Sequence, residues 1–230
     1  MAKPRRAWVW MLVNGIVVAI LAVGLFVTPL LLGSATVLGI QIPRYLERAR
    51  VTACRANLQE LYRGFMLYRD RFRDWPHESG IGFFLELWRV ETDMLTDDLF
   101  ARRFTCPAVD LRRLPGIDAR RPRDWFRVDA WARIDSTYTA YAGRDVARFP
   151  IDPSRAAEEA LVSDDNEGAE DGGAPNHPHV TLVLMADGSV VELDHDELRA
   201  RGVLGASAFP LAGPGSPIPE LRTLSPRAIH

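Results

Sequence analysis

The sequence predicts an α+β protein in which a long N-terminal helix, first transmembrane and then amphipathic, packs on a small antiparallel β-sheet. Three observations predict it. Residues 7–42 contain no charged side chain. Residues 43–73 repeat apolar side chains at three- and four-residue steps, as an amphipathic helix does. Two apolar runs flank Asp187-Gly188, a usual turn of a β-hairpin. A chain of 230 residues is long enough for one ordinary domain with appendages.

The uncharged segment 7–42 is far longer than the ~18 apolar residues that mark a membrane span. As one helix it would extend roughly 50 Å and would have to tilt in the bilayer. A second span would begin near Pro29 and would be too short to cross, so we predict a single transmembrane helix. The alternative is a secretory signal cleaved at Gly33-Ser34-Ala35, although its apolar core would be unusually long.

The helix predicted over residues 43–73 has one apolar stripe with Arg and Glu between its members. The stripe consists of Leu46, Cys54, Leu58, Leu61, Tyr62, Phe65, Met66 and Phe72. Pro76 ends the helix, because proline disfavours helical geometry at the residue before it. We expect this helix to continue the transmembrane helix and to carry a globular head, residues 43–200.

The hairpin predicted over residues 179–196 turns at Asp187-Gly188. A two-residue turn would place His179 opposite Asp196. Because side chains alternate along a strand, one side of the hairpin would then be apolar and would face the helix. That side would consist of Val180, Leu182, Leu184, Ala186, Val191 and Leu193.

Other segments have weaker patterns. Residues 124–134 and 137–143 are strand candidates. Residues 152–178 are acidic and Gly-rich and are predicted to form a loop. Residues 201–230 contain five prolines and four glycines and are predicted to form a tail with little packed structure.

Charge and motifs exclude several classes of function. The net charge is −2, and aspartates lie among the arginines between residues 102 and 127. The electrostatic field of the protein therefore does not favour the binding of nucleic acid. The sequence contains no phosphate-binding glycine loop, no dinucleotide fingerprint and no nucleophile elbow. It therefore predicts neither an enzyme nor a small-molecule substrate.

Two groups of side chains could bind a metal ion. The first lies on the hairpin rim and consists of His177, His179, Asp194 and Asp196. Its spacing matches no zinc signature, and a surface His–Asp pair explains it more simply. The second offers carboxylate oxygens for calcium and consists of Asp164, Asp165, Glu167 and Asp171. We expect no cofactor, with calcium at this second group as the alternative.

Four short motifs follow one another along the chain. They are Cys-x-x-Asn-Leu at 54–58, Phe-Thr-Cys-Pro at 104–107, a Ser-Tyr strand at 136–143, and His177 followed after nine residues by Asp187-Gly188. In this order they resemble the prepilin-type domain that is named for its His, nine-residue gap and Asp-Gly. That domain belongs to the type IV pilin and type II secretion pseudopilin superfamily, and the resemblance covers roughly residues 43–194.

The resemblance implies a pilin-like head in the periplasm or at the cell exterior, on a single span of a bacterial inner membrane, with residues 1–6 as a cytoplasmic leader. It implies a structural protein of type II secretion or type IV pilus assemblies, whose partners are the bilayer and other pilin-like subunits. The alternative is a membrane-tethered module that binds calcium or a surface polymer. The family has a glutamate near the start of its apolar helix, whereas here none precedes Glu47. We therefore expect an uncut anchor or an unusual subunit.

If the head is exported, a disulfide between the two cysteines of the chain is favoured. Exported domains fold in oxidising compartments, where disulfides persist. We predict a bond between Cys54 and Cys106, which would close a loop of about 50 residues. Two buried free thiols are the alternative.

Overall fold

The computed structural model describes residues 44–88, 100–110, 114, 116–117, 122–126, 131, 134–165, 175–206, 208–226 and 228–229. The chain divides into two compact units, Met1–Arg48 and Ala49–His230. The second unit combines helices with an antiparallel sheet and is α+β, as predicted. The predicted leader 1–6 and transmembrane helix 7–42 lie outside the described residues. Within the described part of the chain, no helix is both long enough and apolar enough to span a bilayer.

The first described element is helix α1, residues 44–72. It occupies the segment predicted as an amphipathic helix and buries Leu58, Leu61 and Phe65, each at most 1 % exposed. The helix closes at Arg73, whose φ of +63° is left-handed. The predicted stripe is longer than the buried one, because Phe72, the last helical residue, is 48 % exposed.

Short elements follow α1 along the chain. They are β1 (Ser79–Gly80), α2 (Ile81–Leu85), β2 (Ala142–Arg144), β3 (Ala160–Ser163), β4 (Val180–Met185), β5 (Val190–Asp194), α3 (His195–Ala200), β6 (Leu224–Ser225) and β7 (Ala228–Ile229). In the part of the chain that the structure describes, 3₁₀ helices include Arg102–Phe104, Pro122–Asp124, Pro153–Glu158 and Pro219–Thr223. Five strands form one antiparallel sheet in the order β5-β4-β3-β2-β6, and β1 pairs with β7.

The sheet is buried on both faces, which corrects the prediction of an unpacked tail over residues 201–230. On one face, Leu182 and Leu184 pack in the same core cluster as the apolar side of α1. On the other, Val183 and Met185 contact a second cluster. The C-terminal segment supplies Leu204, Ile218, Leu221 and Leu224 to this cluster. The proline and glycine content of this segment does not reveal these apolar side chains. They cover an apolar face of the sheet, although the described residues of the segment form only short helices and strands.

The hairpin forms where it was predicted, but its register is shifted by one residue. Val183 pairs with Val191 and Leu184 with Val190. The turn has three residues, because the Met185 N–H donates to the Ser189 carbonyl at 2.9 Å and Gly188 follows in a left-handed conformation. Because the turn has one residue more than predicted, each side chain of β5 points to the opposite face of the sheet from the predicted one.

The shift changes which residues share a side. Val191 and Leu193 pack with Val183 and Met185, and not with Leu182 as predicted. Glu192 faces α1 instead, where Arg55 of the helix pairs with it. The side of the hairpin that faces away from α1 is therefore also apolar, and the C-terminal segment covers it.

Two further predictions need correction. The segment 152–178, predicted to be a loop, contains the 3₁₀ helix Pro153–Glu158 and β3, a four-residue strand too short and too buried to alternate. Of the strand candidates, 137–143 forms turns and only enters β2 at its end, and the described residues of 124–134 are not in strands.

Candidate functional site

The site is built first from α1 and the segment that ends at Cys106. Asn57, one turn after Cys54, donates through Nδ2 to the Thr105 carbonyl at 3.2 Å. This bond holds the segment against the helix. Cys54 and Cys106 are joined as a disulfide with their Cα atoms 5.5 Å apart, within the usual range, and both are fully buried.

Asp164 forms the second wall of the site. It follows β3, and its N–H donates to the Leu182 carbonyl at 3.0 Å while its Oδ1 accepts from the Leu182 N–H at 2.8 Å. These bonds turn the carboxyl inward, where it is fully buried. Its Oδ2 has no hydrogen-bond partner among the residues that the structure describes. Burial raises the pKa of the Asp164 carboxyl to about 8.

His177 completes the group, and it lies three residues before β4. Its Nε2 is 3.5 Å from Cys106 Sγ and 3.4 Å from Asp164 Oδ2. The neighbouring Asn176 donates to the Ala140 carbonyl at 3.3 Å and also to the Asp164 carbonyl, which fixes the backbone here. Ligand-type atoms of four buried residues thus lie within 4.8 Å of one another. We call Cys54, Cys106, Asp164 and His177 the buried cluster.

The segment before β2 forms hydrogen bonds with the residues that precede Cys106 of the buried cluster. Thr139 donates through Oγ1 to the Phe104 carbonyl, and the Ala140 N–H donates to Thr105 Oγ1 at 3.3 Å. Tyr141 is fully buried, and burial raises the pKa of its hydroxyl above the usual value. The Phe-Thr-Cys-Pro and Ser-Tyr motifs are therefore packing partners.

Asp187 and Gly188 lie at the other end of β4 from His177 and have structural roles. Asp187 Oδ1 accepts hydrogen bonds from the N–H of Ser189 at 2.8 Å and from its hydroxyl at 2.6 Å. Gly188 has a φ of +89°, and a Cβ there would lie 2.5 Å from a ring carbon of Tyr62. Only glycine suits this position. The nine-residue spacing of the motif thus spans β4.

The hairpin rim does not form the metal site that its sequence allows. His179 is exposed and lies 3.8 Å from the exposed Asp196, while His177 points into the core. Asp194 caps α3 by accepting from the N–H groups of Asp196 and Glu197. The Glu197 bond, with that of Asp196, lowers the pKa of the Asp194 carboxyl. The predicted contact between His179 and Asp196 is present, although the shifted register places His195 opposite His179.

The calcium candidates divide between two parts of the chain. Asp164 and Asp165 are buried, whereas Glu167 and Asp171 lie outside the described residues. Asp164 faces His177 and the disulfide, and the calcium set as a whole stays a prediction.

Arg144 is a buried, charged residue that no pattern in the sequence indicates. Its side chain is 2 % exposed, and its guanidinium pairs with Glu159. It also donates to the carbonyls of Phe149 at 2.8 Å, Ala160 at 3.0 Å and Pro150 at 3.2 Å. Burial lowers the pKa of this guanidinium. All these partners belong to the protein, so Arg144 fastens β2 to the segment before β3.

The chemistry of the buried cluster depends on its oxidation state. As a disulfide, Cys54 and Cys106 form a covalent link between α1 and the segment before β2. As thiols, they would stand beside an imidazole and a carboxyl, a set of metal ligands. No protein-family model matches this chain, and neither a curated protein nor a solved structure matches it.

Proposed function

We propose that the chain is a membrane-anchored, pilin-like structural protein, a component or relative of type II secretion or type IV pilus assemblies. The observation that carries the proposal is α1. In the sequence it directly follows the uncharged segment 7–42. From residue 49 onward one of its faces packs on the antiparallel sheet and the other is left exposed.

The exposed face of α1 supports a role in protein contacts. Leu67 and Phe72 are 41 % and 48 % exposed, and the ring of Phe72 packs at a tilt against that of Tyr68 with ring centroids 4.5 Å apart. Arginines flank these apolar side chains. These apolar side chains lie among polar ones outside the buried side of the helix, and a neighbouring subunit would cover them.

The remaining parts of the proposal follow the family resemblance. Residues 1–6 lie in the cytoplasm, the span 7–42 crosses a bacterial inner membrane once, and the head faces the periplasm or cell exterior. The Cys54–Cys106 disulfide supports an oxidising compartment. The partners are lipid and other pilin-like or secretion-system subunits, and the protein catalyses no reaction.

Photocrosslinking in membranes tests the proposal. A benzophenone side chain replaces Leu67 or Phe72 in the full chain, and the matched control carries it at the exposed Glu158, in the 3₁₀ helix Pro153–Glu158. We expect the protein in the membrane fraction, with crosslinked multimers from the α1 positions and none from position 158. A membrane-bound protein without crosslinks would contradict assembly and favour the tethered binding module. Recovery outside the membrane fraction would contradict the anchor.

A further inference from the structure

We propose that the buried cluster is a redox-gated zinc site. With Cys54 and Cys106 reduced, the two thiolates, the imidazole of His177 and the carboxylate of Asp164 bind one Zn²⁺. Exchange with a disulfide oxidant, which is itself reduced to a dithiol, returns the two cysteines to their disulfide and releases the ion. This inference goes beyond the structural function proposed above and does not depend on assembly.

The ligand types select the metal. Calcium and magnesium take oxygen ligands, whereas two thiolates with one imidazole suit zinc. Structural zinc sites are closed and four-coordinate, and all four members of the cluster are buried, at most 1 % exposed. With two thiolates and one carboxylate, the zinc complex carries a net charge of −1, the same as the common Cys₃His site.

The distances between ligand atoms fit a tetrahedral ion. Bonds of zinc to nitrogen, oxygen and sulfur place two ligands about 3.3–3.8 Å apart. Nε2 of His177 lies 3.4 Å from Asp164 Oδ2 and 3.5 Å from Cys106 Sγ. The Cα atoms of the cysteines are 5.5 Å apart, so rotation about Cα–Cβ bonds separates the two sulfurs once they are reduced.

Asp164 gives a second, independent sign of a ligand. Its Oδ2 is buried and lies close to His177 Nε2, yet it makes no hydrogen bond to any residue that the structure describes. Two ligands of one ion have this arrangement, because their lone pairs point at a common centre and not at each other. A buried carboxylate oxygen without a hydrogen bond is otherwise unfavourable.

A dithiol reductant supplies the electrons and protons of the redox step. The reductant transfers two electrons and two protons to the disulfide, so the S–S bond breaks, two S–H bonds form, and the reductant becomes a disulfide. Zn²⁺ then replaces the two thiol protons, which leave to solvent with any proton that Asp164 carries. The zinc form therefore belongs to a reducing compartment and the disulfide form to an oxidising one.

Zinc content of the full chain in detergent tests the proposal. The chain is reduced with dithiothreitol in guanidinium, refolded without oxygen in the presence or absence of zinc, freed of excess metal and analysed by elemental mass spectrometry. An oxidised sample is treated in parallel. We expect one zinc per reduced chain and none per oxidised chain. Cobalt in place of zinc should give the visible bands of a tetrahedral ion and a thiolate charge-transfer band.

Two variants and one control decide whether the four residues act together. His177→Gln and Asp164→Asn should each weaken zinc binding by at least about tenfold, while His179→Gln, at an exposed histidine outside the cluster, should leave it unchanged. Circular dichroism verifies that each variant folds. Absence of zinc from the reduced chain, equal binding by all variants, or zinc in the oxidised chain would overturn the proposal. A reduced chain that zinc cannot refold would overturn it as well.

Discussion

At the scale of single residues, the packing around some positions dictates which residue type they hold. Gly188 is the clearest case, because it combines a positive φ with contact to Tyr62. His195 is another, since it is fully buried and its Nε2 lies 3.0 Å from Thr181 Oγ1. Each of them gives a prediction that a matched control can test.

We predict that Gly188→Ala lowers the free energy of unfolding by about 2–3 kcal/mol, because alanine is strained at positive φ and its Cβ would collide with Tyr62. Gly202→Ala is the control. Gly202 also has a positive φ but has nothing within 4 Å, so only the strain of about 1 kcal/mol remains. Urea unfolding measures both. Equal losses in the two variants would show that the Tyr62 contact does not matter.

We predict that acid destabilises the protein through His195. Burial lowers the pKa of this imidazole below its usual value of 6.5, so below about that pH the unfolded chain binds the proton more tightly than the folded one. Stability is therefore full above pH ~6.5 and is lost as the pH falls through the folded pKa. His195→Gln should reduce the difference between urea midpoints at high and low pH.

The exposed His179 provides the control for this pH dependence. His179→Gln should leave the difference between the two urea midpoints as it is in the parent protein. If both variants respond alike, the acid sensitivity comes from elsewhere in the chain.

At the scale of elements, one turn residue and one buried guanidinium decide how the strands pair. The three-residue turn shifts β5 by one position and thereby brings Val191 and Leu193 to the face of the C-terminal segment. Arg144 links β2 to the segment before β3 and, through Nη1, to Thr223 at 3.1 Å. The sheet therefore depends on contacts between its strands and their connections.

We predict that Arg144→Met destabilises the protein by about 3–5 kcal/mol, because Glu159 and three carbonyls lose their buried partner. Arg148→Met is the control, since Arg148 is 66 % exposed in its ion pair with Asp145 and should contribute less than about 1 kcal/mol. Thermal unfolding compares them. The double variant Arg144→Met, Glu159→Gln should recover part of the loss, and a mild effect of Arg144→Met alone would contradict this role.

At the scale of the whole molecule, the Cys54–Cys106 link joins α1 to a segment 52 residues away. It closes a segment of 52 residues' separation into one covalent loop. In the chain-entropy model, a loop of this length stabilises the fold by about 4 kcal/mol. The oxidation state of the cysteines thus governs both stability and, in our proposal, metal binding.

We predict that reduction in the presence of a chelator lowers the free energy of unfolding by about 4 kcal/mol. Guanidinium unfolding of the oxidised and reduced chains measures the difference. Alkylation of the unfolded, unreduced chain followed by intact mass determination provides the control. Two alkylated thiols at that step would mean that the bond is absent from the protein as isolated.

Much of the architecture could be predicted because it depends on short stretches of chain. The apolar period of α1 lies within one segment, and the turn chemistry of Asp187-Gly188 lies within two residues. The α+β class with an antiparallel sheet follows from these two patterns. Local patterns of this kind need no knowledge of what packs against them.

The sequence by itself determined the helix, the place of the hairpin turn and the presence of two cysteines in a chain with a long uncharged segment. Only the tertiary structure decided the register of β5, the packing of residues 201–225 and the meeting of Cys54, Cys106, Asp164 and His177. The physical reason is the separation along the chain of the residues that interact. These features depend on contacts between side chains that are far apart in the chain, and no periodicity or spacing records which distant segments pack together.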